Sequence, residues 1–301
     1  MQEERIDSSA FHGVNGYGHG DVGREKLDNI VAKIMGAEAA LVRLQLFSGT
    51  HAIATALFGS LRPGDNMLCV SGHPYDTLEE VVGQRVGAQT GTFAGSLMDW
   101  GIGYSEVELA AKDTFVAEFD IEAIDKALAA DPRIKLVHIQ RSLIVFYVFA
   151  VINLLVVISE IDLNRLFDYK RVNLRCSFCN IIRSCGYQWR PSIPIKEIGR
   201  LCKHIENKYK SQGRDLVIFV DNCYGELVED HEPCHVGADL VAGSLIKNLG
   251  GTLAPCGGYV AGKRVLVERA TVHLSAPGVD GGATFNQYKN LFQVSIRRIY
   301  N

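Results

Sequence analysis

Residues 216–251 carry the strongest signal for the fold: LVIFVDNCYGELVEDHEPCHVGADLVAGSLIKNLGG. An apolar strand over 216–220 runs into Asp221, and a second strand over 239–244 ends just before Lys247. On either side of this stretch, strand-like and helix-like segments alternate, which predicts an α/β domain with a mostly parallel sheet. In such sheets the chemistry lies at the carboxyl ends of the strands. Asp221 and Lys247 are therefore candidate site residues.

The spacing of apolar residues predicts the remaining elements of this domain. The expected helices cover 25–36, 51–58, 120–130 and 195–211, and the expected further strands cover 66–71, 134–140 and 257–260.

Composition and charge limit the class of protein. The 301 residues are 47% hydrophobic and 22% charged, with a net charge of -3, so nothing electrostatic favours nucleic acid as a partner. The eight cysteines are spread through a long chain, which is typical of reduced intracellular thiols. The first residues are acidic and lack an apolar stretch, unlike a signal or transit peptide. A cytoplasmic location is predicted.

The pair Asp221 and Lys247 matches the needs of pyridoxal 5'-phosphate (PLP). A lysine amine can form a Schiff base with the cofactor aldehyde, and a carboxylate can keep the pyridine nitrogen protonated. Ser244, three residues before the lysine, can reach the phosphate. Taken singly, an aspartate at a strand end is often a helix cap and a loop lysine is usually solvated. The Ser-x-x-Lys of serine β-lactamases is excluded because its Ser-Asp-Asn and Lys-Thr-Gly partners are missing from the sequence.

Two further segments fit the same cofactor. The run Ser48-Gly49-Thr50 opens a predicted helix, where backbone N–H groups favour a phosphate, although simple N-capping explains it equally well. Tyr75 follows a strand and a Gly-His-Pro turn, so its ring could stack on a flat cofactor or pack as a surface turn residue. The glycines of residues 11–24 are not a dinucleotide fingerprint, because no strand precedes them.

Residues 143–158, LIVFYVFAVINLLVVI, interrupt the alternation. This apolar run is shorter than the roughly 20 residues that span a bilayer. Arg-Ser occurs at 141–142 and again at 183–184, and joining these two sites gives HIQRS-CGYQWRPS. We therefore hypothesise that 143–184 is an insertion, for example translated intron sequence, with a membrane span over 143–158 as the alternative. The single Cys-x-x-Cys at 176–179 has no partner pair, and no metal site is predicted.

Four motifs in order, SGTHAI, HPYDT, VDNCYGE and GSLIKNLGG, resemble the aluminium-resistance or methionine γ-lyase-like proteins of the cysteine and methionine branch of fold-type I PLP enzymes. The resemblance covers residues 11–142 and 185–284. It implies Lys247 as the Schiff-base lysine, Asp221 at the pyridine nitrogen and Tyr75 against the ring. It assigns the phosphate to Ser48, Gly49, Thr50 and Ser244.

The same resemblance implies a homo-oligomer. In related enzymes an N-terminal segment reaches the neighbouring subunit's phosphate, and Tyr17 and Arg24 are the matching candidates. The family shows a second aromatic residue where this chain has His19.

The expected organisation is an N-terminal glycine-rich arm and helix over 1–36, a PLP-binding domain over 37–283 interrupted at 143–184, and an atypical tail over 284–301. The small C-terminal domain, which commonly carries the arginine for the substrate carboxylate, is expected to be largely missing. Arg141 and Arg190 are the candidate replacements. The expected function is carbon–sulfur lyase chemistry on a sulfur amino acid. The alternatives are a non-catalytic family member, or a protein anchored in a membrane through 143–158.

Overall fold

The structure is a computed structural model and describes residues 4, 6–11, 21–85, 95–110, 117–141, 192–251 and 253–277. All statements on structure below concern these residues. The hypothesised insertion, the tail over 284–301, Tyr17 and Arg190 lie outside them.

One seven-stranded sheet organises the described residues, in the spatial order β1-β7-β6-β5-β4-β2-β3. Its strands are Ala39–Arg43 (β1), Asn66–Cys69 (β2), Gly103–Glu106 (β3), Ile134–Gln140 (β4), Val217–Asp221 (β5), Leu240–Ser244 (β6) and Gly258–Gly262 (β7). Only β7 runs antiparallel to its neighbours, β1 and β6. The other adjacent pairs are parallel. The predicted α/β fold with a mostly parallel sheet is confirmed.

The helices of the described residues are Val22–Met35 (α1), Gly49–Ser60 (α2), Asp76–Val82 (α3), Ile121–Ala130 (α4), Ile195–Lys208 (α5) and Arg264–Leu274 (α6). Side-chain caps explain where several of them begin: Asp21, Ser48 and Asp120 each accept a hydrogen bond from a backbone N–H of the first turn. Helix α1 ends at Gly36, whose φ of 66° is a conformation that glycine adopts without strain.

Helices cover both faces of the sheet, so the domain has three layers. Successive side chains of a strand point to opposite faces. In β5, Ile218 and Val220 join the core beneath α1, α4 and α5, whereas Phe219 joins the core beneath α2, α3 and α6. This arrangement explains why the central strands are apolar throughout instead of alternating.

Helix α1 belongs to the same core as the sheet. Its Leu27, Ile30 and Val31 are buried among strand residues such as Val137 and Ile218. The predicted arm over 1–36 therefore contributes a packed helix from Val22 onward. The predicted boundaries at 36 and 283 remain predictions.

The chain leaves and rejoins the described domain at one place. The backbone N–H of Ile193 donates to the carbonyl oxygen of Arg141 at 2.8 Å, and Ser192 Oγ lies 3.4 Å from the same oxygen. The ends that flank residues 142–191 are thus neighbours. Within the described ranges, no helix combines the length and apolar character that crossing a bilayer requires.

Candidate active site

The site lies at the carboxyl edge of the sheet, where β4, β5 and β6 end side by side. Gln140 pairs with Asp221, and Asp221 pairs with Ala242. Strand alternation places the side chains of these three residues on the face that α2 covers. Asp221 is buried, and its Oδ1 accepts a hydrogen bond from the backbone N–H of Cys223 at 3.0 Å. A buried carboxylate is thus fixed at the centre of this edge.

Lys247 lies on the connection between β6 and β7. Because these strands are antiparallel, the connection starts and ends at the same edge, and Leu245 N donates to the carbonyl oxygen of Gly257 at 3.0 Å. A Cβ atom on Gly250 would lie 1.5 Å from the carbonyl oxygen of Leu245. The glycine after the lysine therefore allows a close backbone approach.

The Lys247 amine faces the turn that follows β5. Its Nζ lies 4.1 Å from the centroid of the Tyr224 ring, and the sulfur of Cys223 is within hydrogen-bonding reach. Burial alone would lower the pKa of Lys247, but its neighbours Cys223, Asp221 and Tyr224 outweigh burial and raise it. Burial, together with Asp221, also raises the pKa of the Cys223 thiol well above its ordinary value, while the Lys247 cation acts in the opposite direction.

The N-terminus of α2 packs against the ends of β5 and β6. Ser48 caps the helix, its Oγ accepting from His51 N at 3.2 Å. A Cβ atom on Gly49 would lie 2.9 Å from Cys223 Sγ and 3.1 Å from Ser244 Cβ, so only glycine fits there without displacement. The first N–H groups of this 12-residue helix, and its positive dipole end, are thereby brought to the edge that carries Asp221.

Tyr75 joins the same edge from the loop before α3. Its hydroxyl lies 3.0 Å from Thr50 Oγ1, and Thr50 Oγ1 also lies 3.0 Å from Thr77 Oγ1. Burial and the nearby Asp221 carboxylate raise the pKa of Tyr75, so its hydroxyl stays protonated. The Tyr75 hydroxyl is therefore tied to the start of α2, within electrostatic reach of Asp221.

The fold thus gathers most of the sequence-predicted site residues at one edge: Lys247, Asp221, Tyr75, Ser48, Gly49, Thr50 and Ser244. Arg24 lies elsewhere, in the first turn of α1, which packs on the opposite face of the sheet. The positive charge of Arg24 favours the ionised form of Asp28. The Asp28 Oδ1 also accepts a hydrogen bond from Arg43 Nη1 at 2.8 Å. The role of Arg24 toward a neighbouring subunit remains a prediction.

Arg141 is fully enclosed by protein groups. Its Nη1 donates to Asn222 Oδ1 and to the carbonyl oxygen of Gly225, both at 2.7 Å, and its Nη2 donates to Glu229 Oε1 at 2.6 Å. Its Nε lies 3.4 Å from the carbonyl oxygen of Ile193. Four of the five N–H donors of a guanidinium are therefore engaged. These contacts favour a structural role for Arg141 over the predicted contact with a substrate carboxylate.

Sequence reasoning missed polar residues next to its candidates. Glu226 is 1% exposed, its Oε1 accepts from the Tyr259 hydroxyl at 3.2 Å, and its Oε2 has no hydrogen-bond partner among the described residues. Burial raises the pKa of the Glu226 carboxyl to about 8, and the neighbouring Asp221 carboxylate acts in the same direction. The sequence contained a signal for this residue, because Glu226 is the last residue of the VDNCYGE motif. The sequence analysis gave a role only to Asp221 of that motif.

Gln140 is a second missed residue. It is 5% exposed, and its Oε1 has no hydrogen-bond partner among the described residues. Buried polar atoms are rarely left without a partner, and this amide oxygen beside Asp221 is one that a polar ligand at this edge could pair with.

The residues present fit PLP. A buried carboxylate, a primary amine, an aromatic ring and a helix N-terminus would meet the pyridine nitrogen, the aldehyde, the ring face and the phosphate respectively. Within the part of the chain that the structure describes, no group of three or more histidine, cysteine, aspartate or glutamate side chains is placed to hold a metal ion. Cys176 and Cys179 lie outside that part.

This order and direction of strands is the fold of the large domain of fold-type I PLP-dependent enzymes. The sequence pattern of the methionine gamma-lyase family matches residues 1–147 and 149–296, and the chain belongs to that family. The predicted resemblance is therefore confirmed.

Several relatives support the same assignment. The carbon-sulfur lyase involved in aluminium resistance from Clostridium novyi NT is 38% identical, with a TM-score of 0.75, and the match covers 98% of this chain and 57% of that one. The uncharacterized protein YnbB of Bacillus subtilis is 40% identical over 97% of this chain and 56% of its own length. CalE6, a methionine gamma lyase from Micromonospora echinospora, shares the fold at 19% identity and a TM-score of 0.51, over 93% of this chain and 55% of its own. The chain spans a little over half the length of these relatives.

Proposed function

We propose that this chain binds PLP through Lys247 and that the protein cleaves a carbon–sulfur bond of a sulfur amino acid. The observation that carries the proposal is the convergence of Lys247, Asp221, Tyr75 and the N-terminus of α2 at one edge of the sheet. The family and the relative described as a carbon-sulfur lyase support the class of reaction.

Each residue has a distinct task in this proposal. The Lys247 amine would hold the cofactor, and Asp221 would keep a proton on its ring nitrogen. The N–H groups at the start of α2, with the Ser48, Thr50 and Ser244 hydroxyls, would hold the phosphate. Bound PLP would supply an electron sink for the carbon next to the substrate's amino group.

Lys247 would also act on the substrate. Once its amine is free, Nζ can take the proton from the substrate α-carbon as a general base. Because the pKa of Lys247 is raised in the protein without cofactor, this task requires that the positive charge be lost first.

The test is the visible absorption spectrum of the purified chain after incubation with PLP. We expect a band that borohydride reduction erases and that the Lys247→Ala variant lacks. Lys263→Ala is the matched control, because Lys263 binds Asp239 away from the site and its loss should leave the band intact. A folded wild-type chain without the band, or with a band that survives Lys247→Ala, would contradict the proposal.

A chain that binds PLP without turnover is the second candidate. The engaged guanidinium of Arg141 favours it, because that group has little capacity left for a substrate carboxylate. Adding L-cystathionine, L-methionine or L-cysteine to the PLP-loaded chain separates the two candidates. Release of a thiol or sulfide, measured with a thiol reagent, supports the lyase, and a PLP band without release supports the second candidate.

We also retain two predictions about the setting, a cytoplasmic location and a homo-oligomer whose N-terminal segment completes the neighbour's site. The described cysteines, Cys69, Cys202, Cys223, Cys234 and Cys256, are all free thiols, as expected in a reducing compartment. Gel filtration combined with activity tests the oligomer, and an active monomer would contradict it.

A further inference from the structure

The turn that follows β5 contains an unusual backbone conformation beside Lys247. Tyr224 has a φ of 68° and Leu227 a φ of 60°, and they are the non-glycine residues with positive φ among the described residues. Bulky side chains rarely adopt this left-handed region, and strained residues of this kind cluster at functional sites. The conformation directs the Tyr224 ring to the lysine, with 4.1 Å between the ring centroid and Nζ.

Hydrogen bonds from the lysine segment hold this turn in place. Asn248, the residue after Lys247, donates from Nδ2 to the carbonyl oxygens of Tyr224 at 2.8 Å and of Glu226 at 3.2 Å. From the other side, Arg141 Nη1 donates to the carbonyl oxygen of Gly225 at 2.7 Å. The aromatic ring and the amine are therefore fixed to each other through the backbone of both segments.

We infer that Tyr224 is a positioning residue for Lys247, whose ring face holds the ε-ammonium at the carboxyl edge through a cation–π contact. The inference deepens the proposed function, since it takes Lys247 as the cofactor-bearing amine. Without the ring, a half-buried lysine on a loop would sample several rotamers. With it, the amine is kept at the carboxyl edge of the sheet, where the cofactor aldehyde would arrive.

The cation–π contact is separable from the other influences on the amine. The titratable groups that face Lys247 are Asp221, Cys223, Tyr224 and Glu226, all in or after β5. Of these, Tyr224 also offers a ring face, which attracts a cation independently of the hydroxyl group. Replacing the ring should therefore lower the pKa of Lys247 while the charges of the other groups are unchanged.

The experiment compares the neutral fraction of Lys247 between variants of the chain without cofactor. The rate at which an amine-selective reagent labels Lys247 is measured at one fixed, mildly alkaline pH by mass spectrometry of its peptide, and it is proportional to that fraction. We expect Tyr224→Leu to lower the pKa of Lys247 by about half a pH unit to one pH unit, which raises the labelling rate about 3- to 10-fold. Tyr224→Phe, which keeps the ring and loses the hydroxyl, should retain the wild-type value. An unchanged pKa in Tyr224→Leu, or equal decreases in both variants, would overturn the inference.

A shape-preserving variant covers the case in which Tyr224→Leu does not fold. Pentafluorophenylalanine at position 224 keeps a ring of similar shape but removes the negative character of its face. We expect it to lower the pKa of Lys247 relative to Tyr224→Phe, and equal values would overturn the inference. Because no cofactor is present, failure of this test is distinguishable from failure of Lys247 to bind PLP.

Discussion

The hydroxyl of Tyr75 lies 3.0 Å from Oγ1 of Thr50 and joins the loop before α3 to the first turn of α2. In the proposed function the first residue contacts the cofactor ring and the second contacts its phosphate. The contact therefore sets the distance between two binding elements before the cofactor arrives. Preorganisation of this kind strengthens binding because less ordering remains to be done.

Tyr75→Phe should weaken PLP binding about 2- to 10-fold, the net effect of one hydrogen bond, and Thr50→Val should weaken it more, because it also removes a hydroxyl proposed to bind the phosphate. The double variant should be little weaker than Thr50→Val alone, because Thr50→Val already removes the contact with Tyr75. Titration of PLP into the apo chain measures these affinities. Tyr104→Phe is the control, because the Tyr104 hydroxyl donates to Glu106 within β3, the outermost strand of the sheet. Additive losses in the double variant would show that the contact does not couple the two elements.

Arg141→Met should lower the free energy of unfolding by about 3 kcal/mol or more, because it leaves buried partners of the guanidinium without a counterpart. Glu232, which is 3% exposed and 3.8 Å from Nη1, would lose its neighbouring cation. Urea unfolding measures the loss. Arg200→Met is the comparison, because its ion pair with Glu197 lies at the surface and should contribute about 1 kcal/mol or less. A stable Arg141→Met chain that fails only with amino-acid substrates would instead support the predicted substrate role.

Glu226→Gln should change how stability depends on pH. The fold raises the Glu226 pKa to about 8 from the ordinary 4.5, so the folded chain keeps a proton that the unfolded chain releases. Wild-type stability therefore falls as the pH rises from about 4.5 to about 8, by at most a few kcal/mol for this group. Glutamine stays neutral and can still accept from Tyr259.

The variant should match the wild type below pH 4.5 and exceed its stability above pH 8. Thermal or urea unfolding over this range provides the measurement. Glu122→Gln, at an exposed position of α4, serves as the control for loss of one carboxylate. Parallel stability curves for wild type and Glu226→Gln would show that Glu226 ionises equally in both states.

Deletion of residues 143–184 should leave a folded chain. Eight residues, 142 and 185–191, would then connect Arg141 to Ser192, whose hydroxyl lies 3.4 Å from the carbonyl oxygen of Arg141. Loops of this length close such a gap readily. The predicted insertion leads us to expect unchanged cooperativity of unfolding and an unchanged PLP band.

A chain in which a 42-residue glycine–serine linker replaces 143–184 is the matched control. If the linker chain folds and the deletion chain does not, the connection needs its length. If neither folds, the segment is an integral part of the domain and the insertion hypothesis is wrong. Sequencing of the transcript tests the intron origin separately.

The sequence predicted the buried strands best. Strands β5 and β6 consist largely of apolar residues, and β4 has Leu136, Val137 and Ile139 at its centre, so these residues identify the strands without knowledge of their neighbours. Strand β1, Ala39–Arg43, was not predicted, because it is rich in alanine and forms only by pairing with β7, more than 200 residues away. Strand β3, Gly103–Glu106, was also missed, because it is a partly exposed edge strand without an apolar alternation.

The same distinction applies to the site. Lys247, Asp221 and Ser48 follow recognisable local patterns, a strand end or a helix start, and local patterns are visible in a sequence. The contacts of Arg141 with Glu229, 88 residues later, and of Asn248 with Tyr224 exist only in the folded chain. The positive φ of Tyr224 is equally invisible, since tyrosine gives no sign of a left-handed backbone.

The loop between β6 and β7, which carries Lys247, is closed at its base by a backbone hydrogen bond. Because Leu245 N binds the carbonyl oxygen of Gly257, a residue added or removed between these two positions alters the loop without shifting the register of either strand. The distance of the Lys247 amine from the carboxyl edge of the sheet can therefore change with loop length while the strand pairing stays the same. Protein engineers can vary it by loop length with the strand register unchanged, and a change near Asn248 would also move the contacts that hold the turn after β5.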